Sequence, residues 1–80
     1  MTQDFVLYMK PSCPFCRKVL RYMEREHISL PMKDISAEPA AREELVAIGG
    51  KGQVPCLVIK GKPLYESDDI IAYLSDRHNS

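Results

Sequence analysis

No sign of charge prevails in this sequence: eleven Lys and Arg residues offset eleven Asp and Glu, for a formal charge of zero. No run of Lys or Arg is long enough to track a phosphate backbone, so nucleic acid is not an expected partner. Long hydrophobic runs are missing as well. The longest near the start, Phe5 to Met9, is far shorter than the roughly 20 residues of a spanning helix and too short for a secretory signal core. The expectation is a cytosolic protein that is neither exported nor anchored in a membrane. Cysteine is scarce and odd in number: three residues cannot all close structural disulfides, and small exported scaffolds carry more of them. Repeats, linkers and low-complexity segments do not occur.

What remains is ordinary for a globular chain, with 45% hydrophobic and 28% charged residues, which favours neither disorder nor a collagen-like or disulfide-framework class. Eighty residues lie near the lower limit for one unstapled apolar core. Residues 1–80 are therefore expected to form a single domain.

Local patterns divide the chain into seven elements. Phe5 to Met9 reads as a strand, β1, buried on both faces. Pro14 suits a first helical position, and Cys16, Val19, Leu20, Met23 and His27 recur at helical spacing, which predicts α1 over about 14 to 26. The opposite face, with Arg17, Lys18, Arg21, Glu24 and Arg25, reads as a solvated surface. Leu30 to Ile35 is a second strand, β2, with Pro31 tolerated at its start or on an edge. Ser36 and Pro39 announce α2 over about 37 to 48, with Leu45, Val46 and Ile48 on its apolar face and Gly49-Gly50 as its stop. Cys56 to Ile59 (β3), Gly61, and Leu64-Tyr65 (β4) read as a hairpin. Ser67 as N-cap, then Asp68 and Asp69, open α3, packed through Ile70, Ile71 and Leu74. The order βαβαββα predicts an α/β fold: a four-stranded mixed sheet flanked by three helices.

The chemistry concentrates at Cys13-Pro14-Phe15-Cys16, where β1 ends and α1 begins. A thiol at a helix N-terminus meets unpaired N–H groups and the positive end of the helix dipole, both of which favour thiolate. Cysteines in such settings have pKa values of roughly 3.5 to 7.5 against about 8.5 when free, and Lys10 and Arg17 supply cations nearby. Cys16, one turn further on the same face, can reach Cys13 and act as the resolving thiol, its own pKa kept high by burial. The alternative, half of a zinc site, would need four ligands. Only Cys56, His27 and His78 remain, and none is paired at ligand spacing. No metal is expected.

Two further segments could complete a site. Val54-Pro55 follows a glycine-containing loop, and a cis proline there would leave the backbone of Val54 free to pair with an extended thiol peptide; alone, it would be an ordinary loop proline. Glu66-Ser67-Asp68 opens α3, where N–H groups suit a carboxylate and Asp68 an ammonium, as in a γ-glutamyl group. Capping by Ser67 accounts for the same residues with no ligand.

Taken together, Lys10, Cys13-Pro14-Phe15-Cys16, Asp34-Ile35-Ser36, Val54-Pro55 and Ser67-Asp68-Asp69 make the chain resemble the glutaredoxins, over nearly all its length. That resemblance implies a thioredoxin-like fold, a nucleophile at Cys13, a cis Pro55, glutathione flanked by Lys10 and Phe15, and its γ-glutamyl end at Ser67 and Asp68. Gln53 before Val54-Pro55, and Tyr65-Glu66-Ser67-Asp68 in place of the Gly-Gly-Cys-Asp of many glutaredoxins, are similar instead to glutathione transferases. These substitutions support glutathione as ligand, so Gln53, Val54, Pro55, Glu66, Ser67 and Asp68 join the expected binding residues. A transferase, however, normally continues into a helical second domain.

The expected activity is glutathione-dependent reduction of protein disulfides and glutathionylated proteins by a monomer, with Cys13 and Cys16 as the catalytic pair. Two rivals use the same residues: an electron donor recharged by a flavoprotein reductase, and a non-catalytic module binding glutathione or an iron-sulfur cluster. Cys56, on β3, is expected to be a small buried hydrophobe. Tyr8, Tyr22, Tyr65 and Tyr73 are expected to pack or lie at the surface, with His27 at a helix end and His78 in the tail.

Overall fold

A computed structural model describes residues 5–78, with the elements in the expected order: β1 (Phe5–Met9), α1 (Pro14–Arg25), β2 (Met32–Asp34), α2 (Pro39–Gly49), β3 (Cys56–Ile59), β4 (Lys62–Tyr65) and α3 (Ser67–His78). The four strands form one sheet in the order β2-β1-β3-β4. β1 runs parallel to β2, with Leu7 opposite Met32. It runs antiparallel to β3, with Leu7 opposite Leu57, and β3 and β4 close the antiparallel hairpin.

The two central strands are apolar at consecutive positions because both of their faces are covered. Leu7, Met9 and Leu57 point to one side and pack with Cys16, Val19 and Met23 of α1 and Ile70 and Leu74 of α3. Tyr8, Cys56 and Val58 point to the other and pack with Ala41 and Leu45 of α2. Helices α1 and α3 therefore share one face of the sheet, and α2 covers the other. The prolines obey the edge rule: Pro31 precedes edge strand β2 and accepts from the Leu7 N–H at 3.0 Å, while Pro63 lies in edge strand β4.

Several boundaries differ from expectation for identifiable reasons. β2 spans three residues instead of Leu30 to Ile35, because the chain turns immediately after Asp34: its Oδ1 accepts from the Ser36 N–H at 2.8 Å and from the Ser36 hydroxyl at 2.5 Å. The Asp34 carbonyl accepts from Ala37 and Glu38. That Asx turn uses up residues 36–38, so α2 starts only at Pro39, with Glu38 as N-cap. On α2 the buried row is Ala41 and Leu45; Val46 and Ile48, expected in the core, remain partly exposed.

His27 does not continue the apolar face of α1. It is exposed, at φ 57°, as the left-handed residue that closes the helix: the His27 N–H donates to Glu24 O and the Ile28 N–H to Met23 O at 2.8 Å. This pair of bonds is a Schellman motif, with Ile28 folded onto the core. The His78 side chain lies outside the described residues.

Candidate active site

The reactive end of the molecule starts with a turn. The Cys13 N–H donates to Lys10 O at 3.0 Å, with Pro11 at the second position, where its fixed φ is pre-set for the bend. Cys13 then stands at the N-cap of α1, with extended φ −83° and ψ 123°, and Pro14 follows as the first helical residue. Its sulfur is left at the helix N-terminus, half-buried, while the Cys16 sulfur points into the core at 0% exposure.

The two thiols diverge in acidity. Partial burial of Cys13 works against ionisation, but the N–H of Cys16, the Cys16 thiol, the N–H of Phe15 and the Lys10 charge together outweigh it and lower the Cys13 pKa. Burial pushes Cys16 up to about 12. The Lys10 backbone opposes that rise, and the charges of Cys13 and Asp34 add to it. Asp34 itself is held below the usual carboxylate range, first by its bond from the Ser36 hydroxyl and also by Lys10. The exposed thiol is thus the acidic one and the buried thiol the protonated one, the asymmetry that exchange chemistry requires.

Beside the cysteines lies a groove of about 270 Å³ lined by Phe15, Lys18, Gln53, Val54, Pro55, Glu66, Ser67 and Asp68. Every expected binding residue except Lys10 is in that lining; Lys10 instead acts on Cys13 through its charge. The Val54-Pro55 peptide bond is cis. Phe15 stands 63% exposed at the groove, whereas Ser67 is 7% exposed. Ser67 occupies the first helical position of α3 and not the cap, and Glu66 before it has φ 73°, a conformation uncommon for a residue with a side chain.

Lys18, read from the sequence as solvated surface, forms an ion pair with Asp68 across the groove wall. Nothing local to α1 announces that role, since the partner lies 50 residues away. Asp34 was recognisable only as part of a family pattern, and its charge now bears on the buried thiol. Cys56 faces away from the pair, in the α2 cluster, with its pKa raised by burial.

The Glutaredoxin family model matches residues 5–64. The chain belongs to the glutaredoxin family. It is 27% identical to Glutaredoxin 3 of Escherichia coli (strain K12) over 66 residues, covering 82% of this chain and 80% of that one. It is 33% identical to the chloroplastic Glutaredoxin-C4 of Oryza sativa subsp. japonica over 70 residues, 84% of this chain and 53% of that protein. The whole chain also superposes on 34% of the crystal structure of glutathione transferase Omega 3C from Trametes versicolor, with TM-score 0.81 and 28% identity. Likeness to both groups fits the mixture of motifs, a glutaredoxin cysteine pair beside transferase-like Gln53-Val54-Pro55 and Glu66-Ser67-Asp68. Members of the glutaredoxin family are thiol-disulfide oxidoreductases with glutathione as co-substrate.

Proposed function

We propose that this chain is a monomeric, cytosolic, glutathione-dependent oxidoreductase that reduces protein disulfides and glutathione mixed disulfides, with Cys13 as nucleophile and Cys16 as resolving thiol. The observation that carries this reading is the Cys13 thiol, lowered in pKa, at a helix N-terminus next to a groove that ends on the first turn of α3. Glutathione fits that groove with its sulfur at Cys13, its peptide backbone along Val54 and its γ-glutamyl end at Glu66-Ser67-Asp68. There the N–H groups of α3 suit the carboxylate, and Asp68 the ammonium.

The Cys13 thiolate attacks one sulfur of the target disulfide; that S–S bond breaks, and the departing sulfur leaves with the electron pair and takes up a proton. For a protein disulfide, Cys16 then loses its proton and attacks the Cys13 sulfur, releasing reduced protein and leaving a Cys13–Cys16 disulfide. One glutathione thiolate opens that bond at Cys13, and a second removes the first as glutathione disulfide, restoring both thiols. When the target is glutathionylated, Cys13 attacks the glutathione sulfur and the second glutathione completes the cycle without Cys16.

The test is turnover coupled to glutathione, glutathione reductase and NADPH. On a glutathionylated substrate, Cys13→Ser abolishes activity and Cys16→Ser retains it; on a protein disulfide both variants fail. Inactive wild type, or full loss in Cys16→Ser on the first substrate, overturns the assignment.

A further inference from the structure

A second depression adjoins the groove beside Cys13 at Lys18 and Asp68. The Lys18–Asp68 pair on the groove wall also borders this larger trough of about 480 Å³ between α1 and α3, where Tyr22 and Ile71 offer apolar surface and Arg21 and Arg25 line the side with a single acid, Glu24, between them. The molecule is neutral overall, yet α1 carries Arg17, Lys18, Arg21 and Arg25 against Glu24 alone, four cations to one acid. Among the described residues Arg21 has no ion pair, while Arg25 pairs with Glu26 at 3.4 Å and lies 5.4 Å from the centre of the Tyr22 ring.

We propose that the trough holds an acidic segment of protein substrates, the residues just N-terminal to the target cysteine, while that cysteine engages Cys13. The inference rests on the groove being the glutathione site. In that site the γ-glutamyl unit, which precedes the cysteine of glutathione, extends to Ser67 and Asp68. A peptide seated the same way runs past Asp68 into the trough. At about 1.5 Å of rise per helical residue, Arg21 and Arg25 stand roughly 12 and 18 Å along α1 from Cys13. An extended peptide advances about 3.3 Å per residue, so acidic side chains roughly three to six positions before the target cysteine meet these two cations. The aromatic and aliphatic surface of Tyr22 and Ile71 suits side chains between them.

The experiment uses short peptides closed by their own disulfide, with Glu, Ser or Lys at the third to sixth positions before the first cysteine, in the coupled glutathione assay. Wild type is compared with Arg21→Glu, Arg21→Glu/Arg25→Glu and Arg21→Lys/Arg25→Lys, each checked for folding by circular dichroism. Bis(2-hydroxyethyl) disulfide serves as the small substrate. We expect wild type to favour the Glu peptide over the Lys peptide by about tenfold in kcat/KM at low salt, an effect on encounter rate that shrinks as salt screens it. The Glu variants reverse that preference, the Lys variant keeps it, and small-substrate turnover is unchanged in all. Equal rates on all peptides with wild type, or Glu variants that lose small-substrate and peptide activity alike, overturn the trough. Wild type inactive even on the small substrate overturns the glutathione reading itself, and the trough with it.

Discussion

At the scale of single residues, position in the fold divides three chemically identical thiols into three kinds. Cys13 is reachable and held toward thiolate; Cys16 and Cys56 are at 0% exposure, with raised pKa values. Native protein at neutral pH should therefore take up one equivalent of iodoacetamide, at Cys13, and denatured protein three, as peptide mass mapping will show. Because the reagent consumes thiolate, the rate should climb with pH and level off above a midpoint lower than that of a free cysteine. Lys10→Gln removes a charge that stabilises the thiolate, so the midpoint should rise and the rate below it fall. Alkylation of Cys16 at a rate matching Cys13 would remove the basis for calling one the attacker and the other the resolver. This pair was legible from sequence because its spacing and its place are local, a turn, a proline and one helical turn, although the burial and the Asp34 charge that raise Cys16 come from packing. Lys18 was not, because its meaning comes from Asp68, which only the packing of α3 against α1 brings near.

Elements were legible where their ends carry chemistry and blurred where tertiary contacts decide. Pro14 and Gly50 mark helix ends through backbone geometry, and Gly50 does adopt φ 81°. The start of α2 was missed because Asp34 and Ser36 make a side-chain turn that helix periodicity does not register. Two joints offer tests. His27 holds a left-handed C′ position that glycine takes more easily, so His27→Gly should stabilise by about 0.5–1 kcal/mol in urea unfolding if relief of the left-handed φ exceeds the added chain entropy. At the end of α2, a Cβ on Gly49 would come within 1.8 Å of Tyr65 Oη, a hydroxyl that is buried without a hydrogen-bond partner. Gly49→Ala should cost about 1–3 kcal/mol, the usual range for overpacking. Tyr65→Phe, which removes an unpaired buried polar group, should be neutral or stabilising and should recover part of the Gly49→Ala loss in the double variant. Simple additivity of the two would mean that the helix and β4 do not meet through that hydroxyl.

At the scale of the whole molecule, the sheet has two cores that share their central strands. Leu57 serves the α1–α3 side, and its neighbours Cys56 and Val58 serve the α2 side, so neither side can open without disturbing β3. The alternation of faces along β1 and β3 was readable as continuous apolar runs, but which helix covers which face was not, since α1 and α3, far apart in sequence, meet only in the folded chain. The two buried cysteines report on the two sides separately: Cys16 on the α1–α3 core and Cys56 on the α2 core. A chain of 80 residues has about 4–12 kcal/mol of stability in all, and Leu45→Ala on the α2 side alone should remove about 2–5 kcal/mol. If the shared strands make folding all-or-none, pulse alkylation across a urea series should expose Cys16 and Cys56 at the same midpoint in wild type and at one common, lower midpoint in Leu45→Ala. Exposure of Cys56 at lower urea than Cys16 would instead mean that α2 detaches by itself, leaving the face that carries Cys13 and the groove folded without it.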